Sequence, residues 1–157
     1  MRVKHVMTKD PSSCVPSDSA QHAARIMRDQ DAGIVPVIDN EASRKVAGVV
    51  TDRDLCMNVV AEGRAPDAVS VEQCMTRKVV TCSPNDSIDK ATELMRDNQI
   101  RRVTVVNESG QLLGVVTLAD VVERADVKTT QTHETLKSIS VPSDEPSKPR
   151  AQSRKAA

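Results

Sequence analysis

Apolar residues follow the same order in two halves of the chain, first at helical spacing and then in two short runs. Ala20, Ala23 and Met27 fall at i, i+3 and i+7, the spacing of an amphipathic helix that buries one face. Ala91 and Met95 repeat this stripe further along the chain. Each stripe is followed by two apolar runs separated by a polar turn, which predict a hairpin-like pair of strands. The predicted strands are residues 34–38 and 46–50 in the first half, and 103–106 and 112–116 in the second.

An extended piece precedes the first helix of each half, and a second helix follows each hairpin. The extended pieces are residues 14–15 and 79–81, and the second helices are residues 52–61 and 118–125. Ser17 or Asp18, and Asp86, are the predicted N-caps of the first helices, because their side chains can accept a hydrogen bond from the first helical turn. Each half is therefore a β-α-β-β-α unit.

The two units are copies of one another. A shift of 68 positions places Met7 on Met75, and beyond the hairpin turn a shift of 66 places Gly48 on Gly114. This duplication predicts an α/β (α+β) fold built from tandem β-α-β-β-α repeats. One unit of about 50 residues has too little core to be stable alone. We therefore expect the units to pack about a pseudo-twofold axis, with two equivalent clefts between them.

The composition divides the chain into four segments. The repeats are predicted at residues 1–63 and 74–126, and a linker containing Pro66 joins them over residues 64–73. Residues 127–157 are rich in Ser, Thr, Pro and Lys and poor in apolar residues. Such a segment cannot bury enough apolar surface to offset its chain entropy, so it is predicted to be a disordered tail.

The composition also restricts the possible partners. The 157 residues include no Phe, Tyr or Trp, and the formal net charge is zero. A bound base therefore cannot stack on an aromatic ring of this chain, and the charge balance does not favour nucleic acid as a partner. Without a signal peptide or an apolar run of about 20 residues, we expect no membrane association and a cytoplasmic location.

Cysteines and histidines are spaced unlike metal ligands. Cys14, Cys56, Cys74 and Cys82 form no C-x-x-C pair, so we expect reduced thiols that fill apolar space and no zinc site. A Cys56–Cys74 disulfide stays open at this point.

The motif Gly-h-h-Thr-x-x-Asp, where h is apolar, occurs at residues 48–54 and 114–120. Its Thr lies at the start of a predicted helix, beside backbone N–H groups suited to an anion or a sugar oxygen. Its Asp, three residues later, can accept hydrogen bonds from two vicinal hydroxyls. The alternative is a capping box in which Asp replaces the usual Glu and serves only the helix.

Tandem units ending in this motif, with Met-Thr pairs at residues 7–8 and 75–76, resemble a pair of CBS domains, the cystathionine β-synthase type also called a Bateman module. The resemblance covers about residues 3–126 and is strongest to small stand-alone bacterial proteins. It implies regulatory binding of an adenosyl compound (AMP, ADP, ATP or S-adenosylmethionine), with no cofactor required.

The resemblance also implies which residues form the clefts: the motif Asp holds the ribose hydroxyls, and the other unit supplies its leading segment and strand start. One implied cleft joins Thr117 and Asp120 with Ser13, Cys14, Gly33 and Ile34. The other joins Thr51, Arg53 and Asp54 with Val80, Thr81, Arg101 and Arg102. Gly33-Ile34 stands where the second unit has Arg101-Arg102, so we expect the cleft at Asp54 to bind phosphate more tightly.

Two kinds of function follow from these observations. The first is a non-enzymatic module that senses an adenosyl ligand and changes how an unknown protein partner docks. The second is a structural homodimer or partner-binding protein whose clefts are vestigial. An enzyme is disfavoured because the chain has no P-loop, metal cluster or nucleophile-base pair. For the homodimer, the predicted contact surface lies on the second helices, at Met57, Val60, Val121 and Val122.

Overall fold

The computed structural model describes residues 1–124, 134 and 136–139. Its first half contains a 3-10 turn at Val3–His5, β1 at Thr8–Lys9, α1 at Ala20–Asp29, β2 at Ile34–Ile38, β3 at Val46–Thr51 and α2 at Asp52–Leu55. A π-helical turn at Cys56–Val60 and α3 at Val71–Cys74 follow. Its second half contains β4 at Thr81–Cys82, α4 at Ile88–Asp97, β5 at Arg102–Val106, β6 at Leu112–Thr117 and α5 at Leu118–Arg124. The predicted order of elements in both repeats is confirmed.

The N-caps of the long helices differ from the prediction. Ser19 and Ser87 cap α1 and α4, and each side chain accepts a hydrogen bond from a backbone N–H three residues later, at 3.1 Å. Asp18 instead accepts from the Val15 N–H at 2.8 Å, and Asp86 does the same from Ser83. The two aspartates therefore close the turns that precede the helices, which leaves the next serine to cap them.

The second helix of the first repeat is also not uniform. Residues 52–61 were predicted as one helix, but α2 has four residues and passes into the π-helical turn Cys56–Val60. The wider turn buries Val59 while Met57 and Val60 remain exposed.

The sheets exchange strands between the repeats. In the larger sheet, β1 from the first half lies antiparallel to β6, and the strand order is β1-β6-β5-β4. The smaller sheet pairs β2 with β3. Two isolated bridges extend it in the same pattern: Thr76 lies antiparallel to Val49, and Cys14 lies parallel to Val37. Each sheet therefore has at one edge a leading segment that belongs to the other repeat.

This exchange explains the glycine of the motif. A Cβ at Gly48 would lie 2.9 Å from the carbonyl oxygen of Thr76, and one at Gly114 would lie 2.7 Å from that of Thr8. Side chains cannot occupy that space because the backbone of the exchanged segment fills it.

The described residues form two hydrophobic cores, and each combines residues from both halves of the chain. The first-half core includes Val69 and Val71 from the segment that leads into the second repeat, and Cys74 and Met75 from the start of that repeat. The second-half core likewise includes Val3 and Val6 from the chain's first residues. Each repeat therefore contributes its leading segment to the core of the other, which holds the two units together.

The four cysteines are free. Cys14, Cys74 and Cys82 are buried, as predicted for thiols that fill apolar space, but Cys56 is exposed on the π-helical turn. Burial raises the pKa of Cys14 to about 12 and that of Cys82 to about 11, because a thiolate is poorly solvated there.

The predicted dimer surface needs one correction. Met57, Val60 and Val122 are exposed, but Val121 is only 1% exposed and belongs to the second core. Val121 points inward because it lies on the face of α5 that covers the sheet, one residue away from the exposed Val122.

Most of the predicted tail lies outside the described residues. Within it, Glu134 and residues 136–139 are helical, and Ile139 packs against the second core. Among the described residues, no helix has the length and apolar character required to cross a membrane.

Candidate functional site

Two cavities open between the repeats, and each contains one copy of the motif. The Asp54 cavity has a volume of about 600 Å³ and the Asp120 cavity about 760 Å³. Both lie at the junction where β3 meets α2 or where β6 meets α5. Their sizes fall in the range of small-molecule sites.

The motif residues form the same hydrogen bonds in both cavities. The Asp54 Oδ2 accepts from the backbone N–H and the hydroxyl of Thr51, both at 3.0 Å, while Thr51 Oγ1 accepts from the Asp54 N–H at 3.1 Å. At Asp120 the corresponding distances to Thr117 are 2.9, 2.7 and 3.1 Å. The alternative considered above, a capping box with Asp in place of Glu, is therefore present in both repeats.

Capping does not use the full acceptor capacity of these carboxylates. The bonds to the motif threonines engage Oδ2, and a carboxylate accepts about four hydrogen bonds in all. Asp54 and Asp120 are 8% and 9% exposed, and both line their cavities. The cap fixes each carboxylate at the cavity wall, in a position compatible with accepting further hydrogen bonds from a ligand.

Thr76 contributes a further contact to the first motif. Its hydroxyl lies 3.3 and 3.4 Å from the two carboxylate oxygens of Asp54. The equivalent residue, Thr8, lines the Asp120 cavity but is exposed. The exchanged leading segments thus bring a hydroxyl to each cavity, and the one at Asp54 directly supports the carboxylate.

An arginine pair lies between the two cavities. Arg101 and Arg102 line both of them, together with Ile34. The guanidinium of Arg102 lies against Gly33, where a Cβ would be 2.5 Å from Nη2. The sequence assigned these arginines to the Asp54 cleft alone. The structure brings them to both, because Gly33 has no side chain to separate the cavities.

The remaining charges make the cavities unequal. Arg53 and Lys78 line only the Asp54 cavity, whose wall has four cationic and two acidic side chains among the described residues. Asp31 and Glu123 line only the Asp120 cavity, where the described part of the chain supplies two cationic and three acidic side chains. An anion is therefore favoured at Asp54 relative to Asp120.

Most of the predicted site residues line the cavities, and three do not. Thr51, Arg53, Asp54, Val80, Arg101 and Arg102 line the Asp54 cavity, and Gly33, Ile34, Thr117 and Asp120 line the other. Ser13, Cys14 and Thr81 are absent from the walls. Cys14 is 2% exposed in the first core because its segment runs beside β2 and directs this side chain inward. The wall is instead formed by residues slightly earlier in each segment: Pro11 and Ser12 in one, and Val79 beside the predicted Val80 in the other.

Sequence reasoning missed Thr8, Thr76 and Lys78 as cavity residues. The repeat itself carried a usable signal for the two threonines, because both follow a methionine at equivalent positions. Lys78 has no counterpart of like charge, since Asp10 occupies the equivalent position. Among the described residues, no group of three His, Cys, Asp or Glu side chains is arranged to hold a metal ion.

These features define a class of protein: a tandem pair of β-α-β-β-α repeats with exchanged leading strands and a ligand-sized cavity at each Thr-x-x-Asp motif. The model of the CBS domain family matches residues 3–61 and 71–126. The chain therefore belongs to the CBS domain family, as the resemblance predicted.

Relatives and solved structures agree with this assignment. YlbB of Bacillus subtilis (strain 168) is 35% identical over 119 residues, which cover 76% of this chain and 78% of YlbB. MK0525 of Methanopyrus kandleri is 35% identical over 121 residues, covering 77% of this chain but only 61% of MK0525. The CBS domain protein PAE2072 from Pyrobaculum aerophilum, solved in complex with AMP, superimposes with a TM-score of 0.72 at 23% identity. That match covers 87% of this chain and 99% of PAE2072, and at this identity it shows the shared fold.

Proposed function

We propose that this chain is a regulatory module that binds an adenosyl ligand, such as AMP, ADP, ATP or S-adenosylmethionine, between its repeats. The observation that carries the proposal is the repeated pairing of a wall-fixed carboxylate with a shared arginine pair. A ribose offers two vicinal hydroxyls to Asp54 or Asp120, and a phosphate is the natural partner of Arg101 and Arg102. The AMP complex of PAE2072, which has the same fold, supports this choice of ligand class.

The adenine base is bound without aromatic stacking, because the chain has no aromatic residue. Aliphatic wall residues such as Ile34 and Val80 provide the packing surface, and backbone groups provide the hydrogen bonds. Aliphatic packing and backbone hydrogen bonds each contribute a modest binding free energy, so we expect dissociation constants on the order of micromolar.

The proposed role is regulatory rather than catalytic. A ligand that prefers one arrangement of the two repeats shifts the population toward it and so changes the surface offered to a partner. We include self-association in this proposal, through the exposed Met57, Val60 and Val122 on the second helices. A dimer with an interface of at least about 1,000 Å² would show twice the monomer mass in light scattering at micromolar concentration.

Calorimetric titration with AMP, ADP, ATP and S-adenosylmethionine tests the ligand. Asp54→Asn and Asp120→Asn are the matched variants, because an amide oxygen can still accept the capping bond while the negative charge is lost. We expect Asp54→Asn to weaken the tighter phase by roughly ten- to a hundredfold. If Asp120→Asn removes that phase while Asp54→Asn leaves it intact, the cavities have been assigned the wrong way round.

The second candidate function is a structural homodimer or partner-binding protein. The capping boxes favour it, since they give both motif aspartates a structural role that requires no ligand. A flat titration of the wild-type chain with all four adenosyl compounds, together with a dimeric mass, would support this function over ligand sensing.

A further inference from the structure

A short segment near the end of the described chain contributes one residue to the wall of each cavity. Residues 136–139 form a helical turn. Leu136 is part of the wall of the Asp120 cavity, and Ile139 is part of the wall of the Asp54 cavity. No other described segment beyond α5 reaches either cavity.

The spacing of these two residues explains how one turn reaches two sites. Side chains at i and i+3 lie on the same face of a helix. Leu136 and Ile139 therefore lie on one apolar face of the turn, and each contributes to the wall of a different cavity. The polar residues of the turn, Lys137 and Ser138, are not part of either wall.

The contact is shallow. Ile139 is half-buried and packs against the second core, while Leu136 is 45% exposed. Such a contact is released at small cost compared with a core element, since regions with few buried apolar contacts open first.

We propose that residues 136–139 act as an internal plug that competes with the adenosyl ligand for both cavities. This inference rests on the proposed function and adds an occupant for both cavities, a segment of the same chain. The ligand binds when the plug is displaced, so its apparent dissociation constant equals the intrinsic one divided by the fraction of time that the plug is displaced. One turn contributes to both cavities, so removing the plug tightens binding at Asp54 and Asp120 together.

Paired serine substitutions test the competition in the full chain. Leu136→Ser with Ile139→Ser removes the apolar face of the plug. The matched control is Glu134→Ser with Lys137→Ser, which changes two exposed residues in the same stretch, leaves the net charge unchanged and touches neither cavity wall. We expect the first variant to bind AMP about fivefold more tightly, equivalent to about 1 kcal/mol, and the control to match the wild type.

A fluorescent reporter follows the plug directly. The chain has no aromatic residue, so Leu136→Trp introduces the only tryptophan, with no background emission. We expect a seated plug to give blue-shifted emission that moves to the red as AMP is added. Adding Ile139→Ser to the reporter variant should produce the red-shifted emission without AMP.

The outcomes separate this inference from the proposed function. Equal AMP affinity of the plug variant and the wild type overturns the competition and leaves the proposed function standing. Weaker binding by the plug variant also overturns it, because the segment would then complete the site rather than block it. If AMP, ADP, ATP and S-adenosylmethionine bind to neither the wild type nor the plug variant, the proposed function fails and the competition fails with it.

Discussion

The Asp54 and Asp120 cavities are formed by two copies of one unit, yet the two cavities are not alike. Their frameworks match: each has a Thr-x-x-Asp cap, an exchanged Met-Thr segment and a motif glycine against that segment's backbone. Their walls differ in charge, because Arg53 and Lys78 face one cavity while Asp31 and Glu123 face the other. The two copies therefore share the residues that hold the backbone together and differ in several wall residues. Four predictions break or sharpen this comparison.

The largest expected effect comes from the shared arginine. Arg102→Gln removes a guanidinium that lines both cavities, so we expect AMP affinity to fall by roughly ten- to a hundredfold at each. Lys78→Gln should weaken only the Asp54 cavity, by a smaller factor, and binding there should also weaken with added salt. Calorimetry of both variants measures this difference.

The control for this prediction is Arg77→Gln. Arg77 is exposed, forms a 2.8 Å ion pair with Glu72 and lines neither cavity. A loss of affinity in this variant equal to that of Lys78→Gln would show a general charge effect and no difference between the cavities.

Substitution of the two motif glycines tests whether both repeats depend in the same way on close contact with the exchanged segment. Gly114→Ala and Gly48→Ala each force a methyl group against the backbone of the exchanged segment, and overpacking of this kind costs about 1–3 kcal/mol of unfolding free energy. We expect Gly114→Ala to be at least as costly as Gly48→Ala, since its contact is closer, 2.7 Å against 2.9 Å. Urea unfolding measures both.

Gly33→Ala is the matched control for the glycine series. The atoms that its Cβ would meet belong to the ends of the Arg102 and Asp52 side chains, which can move aside. We therefore expect little loss of stability and a change in ligand affinity instead. A loss of stability as large as that of Gly48→Ala would contradict the role given to the exchanged backbone.

Cys14 and Cys82 occupy equivalent positions in the two repeats, and their raised pKa values lead us to expect a fall in stability at alkaline pH. Cys14 and Cys82 have folded-state pKa values of about 12 and 11, above the ordinary thiol value of 9.0. The unfolded state loses its thiol protons first, so the stability is fully present below about pH 9 and is lost as the pH rises through the folded values. Each thiol contributes up to about 1.4 kcal/mol per pH unit in that window.

Unfolding free energies measured from pH 8 to 11 test the thiols one at a time. Cys14→Ala and Cys82→Ala should flatten the decline to a similar degree, and should diverge only near pH 11, where Cys82 also ionises in the folded state. Val37→Ala removes buried apolar volume next to Cys14 without removing a thiol, so it should lower stability equally at every pH. If neither cysteine substitution changes the decline in unfolding free energy with pH, the decline is caused by other groups.

The smallest expected effect concerns the hydroxyl of Thr76, which contacts the Asp54 carboxylate. Thr76→Val removes the contacts to the Asp54 carboxylate at 3.3 and 3.4 Å, at a cost of about 0.5–1.5 kcal/mol in stability. The equivalent Thr8→Val alters an exposed residue and should cost less. Thermal unfolding of the two variants compares them, and equal losses would mean that the two motifs are supported in the same way.

The sequence alone predicted the elements and the internal symmetry of this protein. Helical spacing at Ala20, Ala23 and Met27, and apolar runs such as Ile34–Ile38, report on local conformation, so a linear reading was enough to find them. The motif residues Thr51, Asp54, Thr117 and Asp120 could be singled out from the sequence because their spacing is local and repeated, and the structure places them on the cavity walls.

The N-caps of the helices could not be predicted from the sequence, because neighbouring residues compete for the same role. Asp18 and Ser19 are both capable N-caps, and only the turn that Asp18 closes with Val15 decides between them. The sequence likewise left two positions open for Cys14, buried in apolar space or on a cleft wall, because which side of an extended segment faces the core depends on the register of its pairing with β2.

Tertiary structure alone decided the features that join distant parts of the chain. The exchange of the Met-Thr segments, the placement of Arg102 against Gly33 and the approach of Ile139 to the Asp54 cavity all bring together residues far apart in sequence. No periodicity or spacing records such contacts, because they depend on how complete elements pack and which backbones come close. The sequence by itself therefore determined two copies of a unit with a Thr-x-x-Asp motif, and packing between the copies determined that their cavities share one arginine pair.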